Sequence, residues 1–266
     1  MNLWSFTAFI LILILMVGSY LVFAEEVSGP AKTVLIVFLL ILGVYFVFNL
    51  SIFKRYYEVV DIPIDASATY IYSSDKFSSV DQLYSISTWI YIDDWNTNFG
   101  ITKNIVTFER TGANDTVFNL DQYENNLLVQ YDVYTDQSAQ ATKTQSITIP
   151  NINIQKWVCI TVCFNTNNTD TYINGKLMDT DVHAYPIFNP PSQDDQKGSL
   201  ILAKDNGFSG KIGLTRYYGR ILSPQDAWNI YKQGPTTNLF GSFLNRYNAT
   251  FVFYQDNKEV QKLSLM

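Results

Sequence analysis

Residues 3–23 and 33–53 form two uncharged apolar runs, back to back and separated only by the polar stretch AEEVSGPAK. Each has roughly the 20 residues that a helix needs to cross a hydrocarbon core of about 30 Å. Neither run contains an Asp, Glu, Lys, Arg or His. In lipid the backbone must satisfy its own hydrogen bonds, which a helix does, and central Leu, Ile, Phe and Val residues each favour insertion by roughly 0.3–0.6 kcal/mol. An N-terminal transmembrane hairpin is therefore expected, with the lipid bilayer as its partner. Val22-Phe23-Ala24 ahead of Glu25 has the small residues of a signal-peptide cleavage site, but no basic residue precedes the run, so a retained anchor is the reading adopted.

Basic residues beside the spans set the orientation. Lys54 and Arg55 follow the second run directly, whereas the stretch between the runs carries Glu25, Glu26 and Lys32. Positive charge marks the cytosolic side, so the chain beyond residue 55 is expected to face the cytosol. Three Asn-x-Thr sequons, at Asn114, Asn167 and Asn248, point the other way, because they are glycosylation acceptors in a lumen. In a chain rich in Asn and Thr such triplets arise by chance, and they carry less weight than the charges.

The net charge of −6 argues against a nucleic-acid partner, since phosphate binding needs a Lys/Arg surface. Cys159 and Cys163 are the only cysteines and lie in the strand-like run WVCITVCF. Side chains four apart on a strand share a face about 13 Å apart, whereas a disulfide needs Cα atoms within about 7 Å. They read as free thiols packed as small hydrophobes, consistent with a reducing compartment. Two cysteines and one histidine suggest no metal site of their own.

Beyond residue 55 the pattern is short strands and polar turns. Segments 70–72, 85–92, 103–109, 116–121, 127–134, 145–149, 157–164, 169–173, 176–180, 199–202 and 210–218 are rich in β-branched and aromatic residues. In SISTWIYI, Ile86, Thr88, Ile90 and Ile92 share one face, and Ser87, Trp89 and Tyr91 the other. Asn174-Gly175 supplies the two positive-φ positions of a type I′ hairpin turn. One helix interrupts the series: Ser223 is the expected N-cap, Pro224 suits the first position, Asp226 complements the dipole, and Gly234-Pro235 ends it.

The order of SISTWIYI, KWVCITVCF with TYINGKLMDT, and FSGKIGLTRYYGRILSPQDAWNIYKQG resembles the laminin-G-like jelly roll of the concanavalin A-like lectin/glucanase superfamily. The resemblance covers about residues 65–234. It implies an all-β fold, a two-sheet antiparallel jelly-roll sandwich with one short helix, preceded by the transmembrane helical hairpin. The expected organisation is a membrane hairpin over 1–55, a linker over 56–69, the jelly roll over 70–234, and an extension over 235–266 with one strand at 249–255.

Fold alone does not assign function. Glucanases of this superfamily carry two Glu flanking an Asp on one strand, as nucleophile and general acid. The nearest acidic groups here, Glu58/Asp61, Asp93/Asp94 and Asp194/Asp195, fall in turns or linker, so no enzyme activity and no catalytic residue are expected. Sugar sites use aromatic platforms beside Asp and Asn; Trp95, Tyr123, Tyr131, Tyr134, Tyr185 and Phe208 lie in or near loops, and of these Trp95, Tyr131, Tyr185 and Phe208 are the candidate ligand or partner surface, with carbohydrate as one ligand class. No cofactor is expected. Calcium, bound by some laminin-G-like domains, has the loop carboxylates Asp93, Asp94 or Asp205 on offer, without a ligand loop of recognisable spacing. His183, ahead of AYPIFNPP, reads as a loop residue.

An inward-facing jelly roll without disulfides resembles the membrane-anchored minor structural proteins of large DNA viruses with an internal membrane. That resemblance implies a minor capsid protein whose partners are other capsid or structural proteins, located in the virion inner membrane. The alternative expectation is a surface-exposed, lectin-like adhesin.

Overall fold

The computed structural model describes residues 33–34, 36–39, 56–74, 77, 83–110, 113–136, 141–188, 198–237, 249–255 and 258–265. The chain divides into two compact units, Met1–Arg55 and Tyr56–Met266. In the first, residues 33–34 and 36–39 are helical. The rest of both apolar runs, with Lys54 and Arg55, lies outside the described residues. Among the described residues no helix is long and apolar enough to cross a membrane.

In chain order the strands of the second unit are β1 (Tyr57–Val60), β2 (Ile64–Asp65), β3 (Tyr70–Ser74), β4 (Tyr84–Ile92), β5 (Lys103–Arg110), β6 (Ala113–Leu120), β7 (Leu127–Tyr134) and β8 (Thr142–Ile149). They continue with β9 (Trp157–Phe164), β10 (Asn168–Ile173), β11 (Lys176–Val182), β12 (Gly198–Leu202), β13 (Gly210–Ile212), β14 (Thr215–Tyr218), β15 (Ala249–Gln255) and β16 (Lys258–Leu265). One sheet runs β1-β14-β4-β9-β10-β11, with β13 joining β2 to β4. The other runs β3-β12-β5-β6-β7-β8. The described pairings are antiparallel throughout.

The sheets meet over one core. Ile86, Ile90, Val158, Ile160, Val162 and Phe164 of the first sheet face Phe108, Phe118, Leu120, Val129 and Leu200 of the second, each 1% exposed or less. Alternation explains the facing: even-numbered positions of β4 and β9 point inward together because Ile86 pairs with Val162 and Ile90 with Val158.

A second apolar layer lies on the outer side of the first sheet. There α1 (Pro224–Gln233) lays Ala227 and Ile230 over Trp89, Cys159, Cys163, Tyr172, Leu214 and Tyr218. The Trp89 and Tyr231 rings stack at 5.7 Å and 16°. Both faces of β4 are thus buried, and the small hydroxyls of its outer face leave room for the helix while finding partners: Thr161 Oγ1 donates to Ser87 Oγ at 3.1 Å, and Ser85 Oγ donates to the Arg220 carbonyl at 2.9 Å. The helix begins as its sequence predicts. Ser223 caps it, and Asp226 returns a bond to the Ser223 backbone N–H at 3.0 Å, closing a capping box.

Three boundaries need correction. The expected linker 56–69 contains β1 and β2, which enter the first sheet beside β14 and β13; β1 pairs with β14 through an irregularity between Glu58 and Val60, and Pro63 falls between the two strands. The strand expected over 210–218 is broken at Gly213-Leu214, where Gly213 N–H bonds the Trp89 carbonyl and Leu214 N–H the Pro235 carbonyl. The extension carries two strands, β15 and β16, paired with one another, so the 249–255 strand already has a partner.

Candidate ligand cleft at the loop pole

Strand register gathers four loops at one end of the sandwich. β4 ends at Ile92, Tyr91 pairs with Trp157, Gly210 pairs with Ile92, and Lys103, Leu120, Leu127 and Ile149 follow one another across the second sheet. Loops 93–102, 121–126, 150–156 and 203–209 therefore share a pole. The chain enters at the other end, where Tyr57 pairs with Tyr217 and Tyr218 with Ser85.

The loops are tied together by backbone and amide bonds. Gly100 N–H donates to the Gln122 carbonyl at 3.0 Å, and Ile152 N–H to the Asn125 carbonyl at 2.6 Å, answered by Asn125 Nδ2 to the Ile152 carbonyl at 3.0 Å. Gln155 N–H reaches the Ile92 carbonyl at 2.7 Å, and Asn98 Nδ2 the Gly207 carbonyl at 3.4 Å. Asn98, Asn151, Gln155, Ala203 and Asp205 hold positive φ within these loops. Non-glycine residues in that region persist only where surroundings fix them.

Between the loops opens a cleft of about 600 Å³ lined by Trp95, Tyr123, Glu124, Asn125, Asn126, Pro150, Asn151 and Ile154. Lys103, 1% exposed, lies with Nζ 4.7 Å from the Trp95 ring centroid. Burial pushes this ammonium below its usual range, opposed by the Asp121 and Asp94 carboxylates. Neither Lys103 Nζ nor Trp95 Nε1 has a hydrogen-bond partner among the described residues. Asp94 is held below the usual carboxylate value by the Thr97 backbone N–H, then by Ser209. Asp121 is likewise lowered by the backbone N–H groups of Tyr123 and Glu124.

Of the sequence candidates, Trp95 is placed in this cleft. Tyr131 and Phe208 are not surface residues: they are 1% and 0% exposed, inside the core. Tyr131 alternates inward on β7, and its hydroxyl donates to Asp181 Oδ2 at 2.6 Å, joining the two sheets. Phe208 is drawn under the loops by its N–H bond to the Ala66 carbonyl. Tyr185 is half-buried away from the cleft, its carbonyl 2.9 Å from His183 Nδ1. His183 is in a loop as expected, yet 4% exposed. Tyr123, another of the loop aromatics, lines the cleft as well; its remaining members escaped sequence reading because each looks like an ordinary turn residue, and only register assembles them. Among the described residues no group of three or more His, Cys, Asp or Glu gathers to hold a metal ion.

The outer face of the second sheet is open and polar. Asn104 Nδ2 donates to Asn119 Oδ1 at 3.0 Å and Asn119 Nδ2 to Gln130 Oε1 at 3.4 Å, forming an amide rung across β5, β6 and β7. Glu109 pairs with Lys204 at 2.8 Å, and Asp132 accepts from Thr144 at 2.7 Å.

A two-sheet jelly roll with a helix sealing one outer face and loops gathered at one pole defines a class of sandwich used for recognition and for catalysis alike. Residues 65–227, more than half of the chain, match a family described as the concanavalin A-like lectin/glucanases superfamily, and the chain belongs to it. No curated protein matches the chain. Among solved structures it is similar to the binding domain of botulinum neurotoxin serotype G (TM-score 0.47, 17% identity, 66% of this chain and 46% of that one). It is also similar to the serotype D ligand-binding domain in complex with N-acetylneuraminic acid (0.49, 15%, 66% and 46%) and to the neurotoxin DC binding domain in complex with rat synaptotagmin II (0.41, 17%, 61% and 39%). The chain spans less than half the length of each, and no ligand or partner is carried over from them.

Proposed function

We propose that this protein is a membrane-anchored docking protein without catalytic activity. Residues 3–23 and 33–53 hold the bilayer, Lys54 and Arg55 keep the jelly roll on the cytosolic side, and the jelly roll binds another structural protein. Its setting in this reading is the inner membrane of a large DNA virus, as a minor capsid protein that joins membrane to shell. The observation that supports docking over hydrolysis is the placement of the carboxylates: on the open sheet face Glu109 and Asp132 lie on different strands, each held by its own partner, while α1 closes the opposite face. Glycoside hydrolysis asks instead for two carboxyl groups facing one bond.

The cleft favours a second reading, a lectin-like surface adhesin, because it sets Trp95 and Tyr123 beside the amides of Asn125, Asn126 and Asn151. Orientation separates the two. Translated into microsomes, the full chain is expected to lose residues 56–266 to added protease and to carry no glycan. A protected, glycosylated fragment would sink the cytosolic tether and favour the adhesin.

A further inference from the structure

Phe99, Ile101, Tyr123 and Ile154 are 60%, 62%, 58% and 42% exposed, and all belong to the loop pole. Phe99 and Tyr123 meet edge to face at 5.6 Å on two loops that the Gly100–Gln122 bond ties together. An apolar rim so fixed loses little further freedom when a partner binds, which is how preorganised sites gain affinity. The same pole carries Asp93, Asp94, Asp121, Glu124 and Asp205, against the exposed Lys156 and Lys211; Lys103 is buried under Trp95 and Lys204 is paired with Glu109. Hydrogen bonds from the backbone hold the Asp94 and Asp121 carboxyls below their usual value.

We propose that the loop pole is a protein-docking site that takes an apolar side chain flanked by Lys or Arg. The exposed rings and Ile154 supply the apolar contact beside the cleft, and the acidic surround selects a basic segment. A bilayer is the poorer occupant, because these carboxylates repel anionic headgroups. The chain enters the sandwich at the far end of β4, about 23 Å away at a rise of about 3.3 Å per residue.

The inference rests on the docking reading above but not on the orientation that tests it. The full chain in lipid nanodiscs is panned against a displayed random peptide library. Enriched peptides are expected to share a large apolar residue beside Lys or Arg, and a synthetic one to bind at least about tenfold more weakly to Tyr123→Ser, Phe99→Ser and Glu124→Lys. The affinity should also fall with salt. These side chains are exposed, so the melting temperature is expected to hold; if a variant unfolds, amide exchange on the unmodified chain should show the peptide protecting 93–102, 121–126 and 150–156. No enrichment, acidic peptides, undiminished binding to folded variants, or protection elsewhere would each overturn the proposal. Selective binding of a neutral glycan lost in the same variants would also overturn it and assign the cleft to sugar.

Discussion

Cys159 and Cys163 are wholly buried on the outer face of β9, beneath α1. Burial pushes the Cys159 thiol up to about 12 and raises that of Cys163 as well. Thiolate is the reactive form, so both should resist a thiol-specific reagent at neutral pH in the folded chain and react together on unfolding. Stoichiometric labelling of the native protein would contradict the packing of α1 over β9. Their spacing already rules out a bridge within the strand, whereas what seals them is decided by a helix more than 60 residues away, which leaves no mark on their local sequence. Tyr131 makes the same point: its alternation on β7 is legible, but its bond to Asp181 depends on β11 arriving from the other sheet.

At the level of elements, the Asn174-Gly175 turn is the local feature most completely written in the sequence. Asn174 and Gly175 have φ of 51° and 73°, as a type I′ turn requires. The structure adds that the turn abuts the helix: a Cβ on Gly175 would lie 3.0 Å from Trp228 Cα and 3.1 Å from Tyr231 Cβ. Gly175→Val therefore both strains the turn and presses on α1. The full chain in detergent should lose more than about 1 kcal/mol. Each kcal/mol lowers melting by roughly 2–4 °C in a domain of this size. An unshifted melt would mean that turn and helix are not packed together.

For the molecule as a whole, acid sensitivity should come from carboxylates whose bonds close loops and cap the helix. Asp94 and Asp121 are lowered by backbone N–H groups of their own turns, and Asp226 by Arg220 and then by Ser223, from an ordinary value of 3.8. A depressed folded value means that the unfolded chain binds protons first, so their stabilisation is present above about pH 4 and lost as pH falls through the lowered folded values. Melting temperature followed from neutral pH downward should stay level to about pH 4 and then drop, with a shallower drop in Asp121→Asn. A fall beginning near neutrality would point to another group.

The sequence by itself determined what depends on neighbours in the chain: the apolar runs, the alternation that makes β4, β7 and β9 strands, the positive-φ turn, the Ser223 cap, and the order of motifs that the family match over 65–227 bears out. These are set by covalent geometry, propensity and period, all within a few residues. Tertiary structure alone decided that β1 and β2 are sheet strands and not a linker, that Tyr131 and Phe208 are core, that both faces of β4 are buried, and that three loops far apart in sequence form one cleft. Each of these depends on pairing between segments far apart in sequence, whose register is fixed by the shared core between the sheets.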